Sequence, residues 1–173
     1  MTGRSAGFTL IELMMVVLIL ATASAIVALR LKGPMCVARM RDVTGRIASY
    51  DRLTRLQATE QDRALMVVVD PDKGELRRMD AKGEEAMGTP LSLPSDFEIT
   101  KVVVAGEAPS AKRKGVYFSR LGLTRSYAIL VTGPGDLSRW VLFTGLTGDL
   151  VEGEREEQVR EALDRTAPGN NAD

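Results

Sequence analysis

Gly7-Phe8-Thr9-Leu10-Ile11-Glu12-Leu13 opens an apolar run, FTLIELMMVVLILATASAIVAL, that extends over 22 residues from Phe8 to Leu29. As a helix this run measures roughly 33 Å, enough to cross the ~30 Å hydrocarbon layer of a bilayer. Glu12 is the one charged residue inside it, and a polar leader, MTGRSAG, precedes it. Three readings of this start differ in what they do with Glu12. A secretory signal, with Arg4 as its basic region and a cut near Ala23 or Ala25, must accept a carboxylate at the head of its hydrophobic segment. A plain single-pass anchor must accept it too, at about 2.5–3.5 kcal/mol near mid-helix and less near an end. Cleavage between Gly7 and Phe8 instead creates a new α-amine four residues before the glutamate. A neighbouring helix slightly out of register can then set its amine against this carboxylate. Such a hydrogen-bonded pair is tolerated in lipid where a single charge is not, and it fixes the stagger between subunits.

G-FTLIEL followed by an unbroken apolar run resembles the cleavage and methylation motif of type IV prepilins and type II secretion pseudopilins. The resemblance implies that a membrane prepilin peptidase cuts after Gly7 and that Phe8 becomes the N-methylated first residue. Glu12 is then the fifth residue of the mature chain, the family's assembly glutamate. Counting positive charges favours the opposite topology, since Arg4 faces Arg30, Lys32, Arg39 and Arg41 across the segment; the motif implies the leader inside. On this reading residues 1–7 are a leader, 8–29 a transmembrane helix in the bacterial inner membrane, and the remainder a periplasmic domain.

Gly33-Pro34 follows the span, and proline costs a helix interior about 3 kcal/mol, so a kink or short break is expected there. Over 30–62 the pattern is that of an amphipathic helix. Met40, Val43, Ile47, Tyr50, Leu53 and Leu56 recur at three- and four-residue steps, and Arg39, Arg41, Arg46, Arg52 and Arg55 form the solvated side. After Asp62 the period becomes that of strands. Leu65–Asp70, Asp70-Pro71-Asp72-Lys73-Gly74 and Glu75–Met79 read as a hairpin. Phe97–Ala105, Val116–Ser119, Leu123–Thr132, Arg139–Thr144 and Leu150–Val151 read as further strands, with Trp140 in the core. Loop 80–90 is polar, and loop 106–115 is turn-rich and mobile. Residues 152–173 form a charged tail, with seven acids against three arginines, that holds a short surface helix.

A long N-terminal helix, transmembrane in its first half and amphipathic in its second, packed on an antiparallel sheet (63–151), is an α+β, pilin-like fold. Val116–Gly133 followed by Arg139–Val151 resembles the carboxy-terminal half of H-type minor pseudopilins, with Gly122 and Gly145/Gly148 at the family's turn positions. Leu121 stands where an acidic or amide residue usually precedes the first of these glycines.

The chemical inventory is sparse. With no histidine in the chain, Ser-His-Asp triads and histidine-ligated metals are excluded. Cys36 is the only cysteine, so no internal disulfide forms; it reads as a plain small side chain ahead of intermolecular pairing or lipidation. There is no phosphate loop, zinc spacing or calcium-loop spacing, hence no catalytic residue, metal or cofactor is expected. Twenty-three basic residues balance twenty-three acidic ones, which does not fit a nucleic-acid binder. The resemblance implies a minor pseudopilin that partners prepilin peptidase and other pseudopilins through its N-terminal helix. A minor type IV pilin for adhesion or DNA uptake, and a membrane-anchored periplasmic enzyme, are the alternatives.

Overall fold

The computed structural model describes residues 10–153 and 155–165, with the side chains of 25–34 excepted. The chain divides into two units, Met1–Ala38 and Arg39–Asp173. One helix, α1 (Leu10–Glu60), runs unbroken through Gly33 and Pro34, so the expected break is not found. A proline deletes a single backbone hydrogen bond, and a helix of 51 residues retains the bonds on either side. Its far end is closed by Asp62, which takes φ 46° while Arg63 N–H donates to the Ala58 carbonyl at 3.0 Å, a left-handed cap.

Two four-stranded antiparallel sheets follow, where a single sheet was expected. Sheet A has the order β3-β2-β1-β5 and sheet B the order β4-β6-β7-β8. The strands are β1 (Leu65–Asp70), β2 (Glu75–Asp80), β3 (Leu91–Ser92), β4 (Glu98–Val104), β5 (Lys114–Phe118), β6 (Tyr127–Thr132), β7 (Ser138–Phe143) and β8 (Leu150–Gly153). The 65–80 hairpin closes in the expected register, with Asp70 opposite Glu75. Leu123 and Thr124, expected in a long strand, turn back instead so that Thr124 bridges Phe118.

The main core lies among the α1 residues Met40, Val43, Ile47 and Tyr50 and the inner faces of both sheets. Leu53 and Leu56 do not belong to it. They are 53% and 52% exposed, while Thr44, Asp51, Thr54 and Ala58 are buried. Sheet B is apolar on both faces, which is why YAILVT and WVLF read as continuous rather than alternating runs. Its inner face joins the main core. Its outer face, with Trp140, forms a second cluster. That cluster is covered by α2 (Glu156–Arg165), which buries Val159 and Leu163. Much of the expected tail is therefore ordered structure: residues through Gly153 pair in β8, and 156–165 are helix.

The two long loops are fastened as well. Asp80 accepts from Glu84 N–H at 2.7 Å and Glu85 N–H at 3.1 Å, and the backbone bond from Glu85 leads in holding its carboxyl below the usual range. In 106–115, Ser110 exchanges backbone bonds of 2.8 and 2.9 Å with Val102. Glu107 there meets Lys114, and Arg125 at 2.7 Å.

Candidate assembly site

Gly7 and Phe8 lie outside the described residues. Glu12 lies within them, in the first turn of α1 and exposed. Every large apolar side chain from Leu10 to Leu20 is exposed around it, from 42% at Val16 to 78% at Leu10. A contiguous apolar surface of that kind needs lipid or other helices to cover it. The polar Thr22 is internally satisfied, since its hydroxyl donates back to the carbonyls of Leu18 at 3.0 Å and Ile19 at 2.9 Å. Among the described residues no helix is long and apolar enough to cross a membrane; the expected span, 8–29, lies partly outside them.

In the second unit a polar cluster sets the turns of the sheets against α1, and the sequence pattern did not reveal it. Arg55, expected on the solvated side, has a side chain only 12% exposed. Its Nε donates to Asp51 Oδ2 at 2.7 Å. Nη1 donates to the carbonyls of Gly122 at 3.1 Å and Gly145 at 2.9 Å, and Nη2 to that of Thr144 at 3.2 Å. The guanidinium also lies 5.4 Å from the centre of the Phe118 ring. Tyr127 Oη donates to Asp51 Oδ1 at 2.6 Å. Burial, and then the Asp51 carboxylate, push that phenol well above its ordinary 10.0, so it remains a donor. Each carboxylate oxygen of Asp51 thus accepts a hydrogen bond inside the core, as a buried charge requires. The signal in the sequence was the Asp51/Arg55 spacing of four, in the orientation that favours a helical ion pair.

The three turn glycines answer to this cluster for different reasons. Gly122 and Gly148 have φ +72° and +73°, where a side chain is strained. Gly145 is not in that region; a Cβ on it would stand 2.1 Å from the Thr124 carbonyl oxygen.

The described residues thus comprise an apolar helical stretch headed by Glu12 and a two-sheet domain packed on the second half of the same helix. Residues 2–28 match the family described as the prokaryotic N-terminal methylation motif. One structure of the minor pseudopilin EpsH, from the type 2 secretion system of Vibrio cholerae, superposes with a TM-score of 0.53 at 13% identity. It covers 68% of this chain and 99% of that one. A second EpsH crystal structure gives 0.50 at 13% identity, over 65% and 94%. The fold is pilin-like, as in EpsH. No curated protein sequence matches the chain. Within the pilin-like fold, the H-type resemblance read in Val116–Val151 falls on β5 to β8, where Arg55 holds the carbonyls of Gly122 and Gly145.

Proposed function

We propose that this chain is a minor pseudopilin, a structural subunit of the periplasmic pseudopilus of a type II protein secretion system. Residues 8–29 anchor it as a single pass in the inner membrane, with the two-sheet domain in the periplasm. Prepilin peptidase cuts between Gly7 and Phe8, Phe8 is N-methylated, and Glu12 pairs with the α-amine of a neighbouring pseudopilin. The observation that supports this best is the methylation-motif match over residues 2–28, which runs into the first part of a helix whose second half packs into a domain with the EpsH fold. Both similar structures belong to minor pseudopilins, in keeping with an assembly role rather than catalysis.

Mass spectrometry of the mature protein tests the processing. Methylated Phe8 at the amino terminus is expected, and a chain starting beyond Ala23 would remove both the glutamate and the pairing built on it. Deletion separates secretion from pili: loss of secreted enzymes with intact twitching and transformation is expected, and the reverse pattern would overturn the secretion assignment.

A further inference from the structure

β5 is the last strand of sheet A and pairs with β1 on one side only. On its other side, among the described residues, a single bridge covers its end, from Phe118 to Thr124. That bridge shows which way the amides of the strand point. Ser119 N–H donates across it to the Leu123 carbonyl at 2.8 Å, away from β1, and amides two residues apart in an antiparallel strand share their direction. The N–H and C=O groups of Gly115 and Tyr117 are therefore turned to the open side, while those of Lys114, Val116 and Phe118 face β1. Gly115 and Tyr117 are also the two exposed residues of the strand. A row of backbone donors and acceptors is left without a strand partner, the arrangement on which another chain can pair.

Two further features adjoin this edge. A cleft of about 310 Å³ lies beside it, with Val104, Val116, Tyr117 and Leu123 in its wall next to Glu107 and Arg125. Glu107 is already engaged by Lys114 and Arg125, so its charge is offset. Lys112 and Arg113, both exposed, leave the start of the strand basic.

We propose that the free edge of β5 is a strand-addition site for an extended segment of a partner protein, apolar at alternate positions and acidic at its carboxy-terminal end. Laid antiparallel, the segment exchanges backbone hydrogen bonds with Gly115 and Tyr117. Its residues opposite Val116 and Lys114 turn to the same side as Val116, where apolar side chains enter the cleft. Its last two residues meet Arg113 and Lys112 with carboxylates. Main-chain bonds supply the attraction, and the cleft and the basic end select the sequence. This inference does not depend on the filament reading.

The probe is a labelled peptide, Thr-Val-Thr-Val-Asp-Glu with blocked ends, titrated into the full chain in non-ionic detergent micelles. Saturable binding is expected at a dissociation constant on the order of a millimolar or below. Backbone deuterium uptake at Gly115 and Tyr117 should slow when the peptide is present. N-methylation of the second threonine, whose N–H meets Gly115, should weaken binding at least about tenfold, while N-methylation of the second valine, whose N–H points away, should be tolerated. Lys112→Glu combined with Arg113→Glu, both on exposed side chains, should keep the unfolding transition of the unaltered chain and weaken binding at least about tenfold. A peptide ending in two lysines should then bind that variant in preference to the acidic one. The proposal is overturned if the peptide fails to saturate, if the two N-methylated peptides behave alike, if uptake at Gly115 and Tyr117 is unchanged, or if charge reversal has no effect. Dimers of the chain that protect the same two amides would overturn it as well, in favour of a second copy as the occupant.

Discussion

A guanidinium offers five N–H donors in a rigid plane, and at Arg55 the plane serves a carboxylate and three carbonyls that belong to two separate turns. Lysine cannot reproduce that fork. Arg55→Ala leaves Asp51 buried with only Tyr127 and takes a donor from the Gly122 carbonyl, while the Gly145 and Thr144 carbonyls keep the N–H groups of Thr124 at 3.1 Å and Gly148 at 3.0 Å; the unpaired buried carboxylate sets an expected loss of roughly 3–5 kcal/mol in denaturant unfolding followed by Trp140 emission. Arg55→Lys should recover less than half of it. Tyr127→Phe removes one hydrogen bond to a charged group and should cost about 1.5–3 kcal/mol in the same assay. If Tyr127→Phe were neutral, Asp51 would not depend on the phenol. Gly145→Ala is expected to destabilise as much as Gly122→Ala despite its ordinary backbone angles, because its Cβ would strike the Thr124 oxygen. The Asp51/Arg55 pair was visible in the sequence as a helical spacing, but its burial was not. The groups that make it tolerable come from Gly122, Tyr127, Thr144 and Gly145, far along the chain, and local periodicity carries no trace of them.

The second half of α1 shows how an apolar count misplaces a helix face. Leu53 and Leu56 drew the expected stripe toward themselves, while Thr44, Asp51 and Thr54 occupy the buried side because each finds a hydrogen-bond partner there. Substituting Leu53 or Leu56 by serine should change stability by less than about 0.5 kcal/mol, whereas Ile47→Ala should cost about 2–5 kcal/mol. The two sets of melting curves decide between the faces. Sheet B held a legible signal that the sequence reading left unused. Strands without alternation are apolar on both faces, so something had to cover the outer one, and the charged segment after Gly153 was available to do it. Docking of that segment is pH-dependent. Lys101 first, then Arg160, hold the Glu156 carboxyl below its ordinary 4.5. A depressed carboxylate stabilises the docked helix above about that value, and its contribution fades as pH falls through the lower folded value. Acidification below pH 4.5 should therefore red-shift Trp140 emission before the main transition, and Lys101→Ala should flatten that response. A shift of equal size in the Lys101→Ala chain would show that Glu156 is not its source.

Across the whole chain, the order of parts was legible: a glutamate-headed apolar run, then an amphipathic helical stretch, then strands. What the order could not convey was the division of the strands into two sheets, since that depends on which edges meet, and β5 pairs back with β1 rather than with its neighbour in sequence β4. Nor did Gly33-Pro34 interrupt α1, so one helix carries Glu12 and the Asp51/Arg55 pair alike. Around Glu12 the exposed side chains are apolar without exception among the large ones from Leu10 to Leu20. In lipid this surface favours close helix contact but leaves the vertical register of those contacts undefined, because leucine packs on leucine at many offsets. A carboxylate and an amine meeting at one height remove that freedom, and they do so at a depth where either charge alone is costly. The proposed pairing therefore predicts a split between processing and assembly. Glu12→Ala should still yield methylated Phe8 by mass spectrometry, since the proposed cut lies five residues upstream. Co-purification with the pseudopilins proposed as its partners should fall severalfold or more in detergent extracts. Glu12→Gln separates charge from hydrogen bonding: an ion pair makes it nearly as defective as alanine, while a neutral hydrogen bond would let it assemble. Normal recovery of partners with Glu12→Ala would mean that the register is set elsewhere on α1.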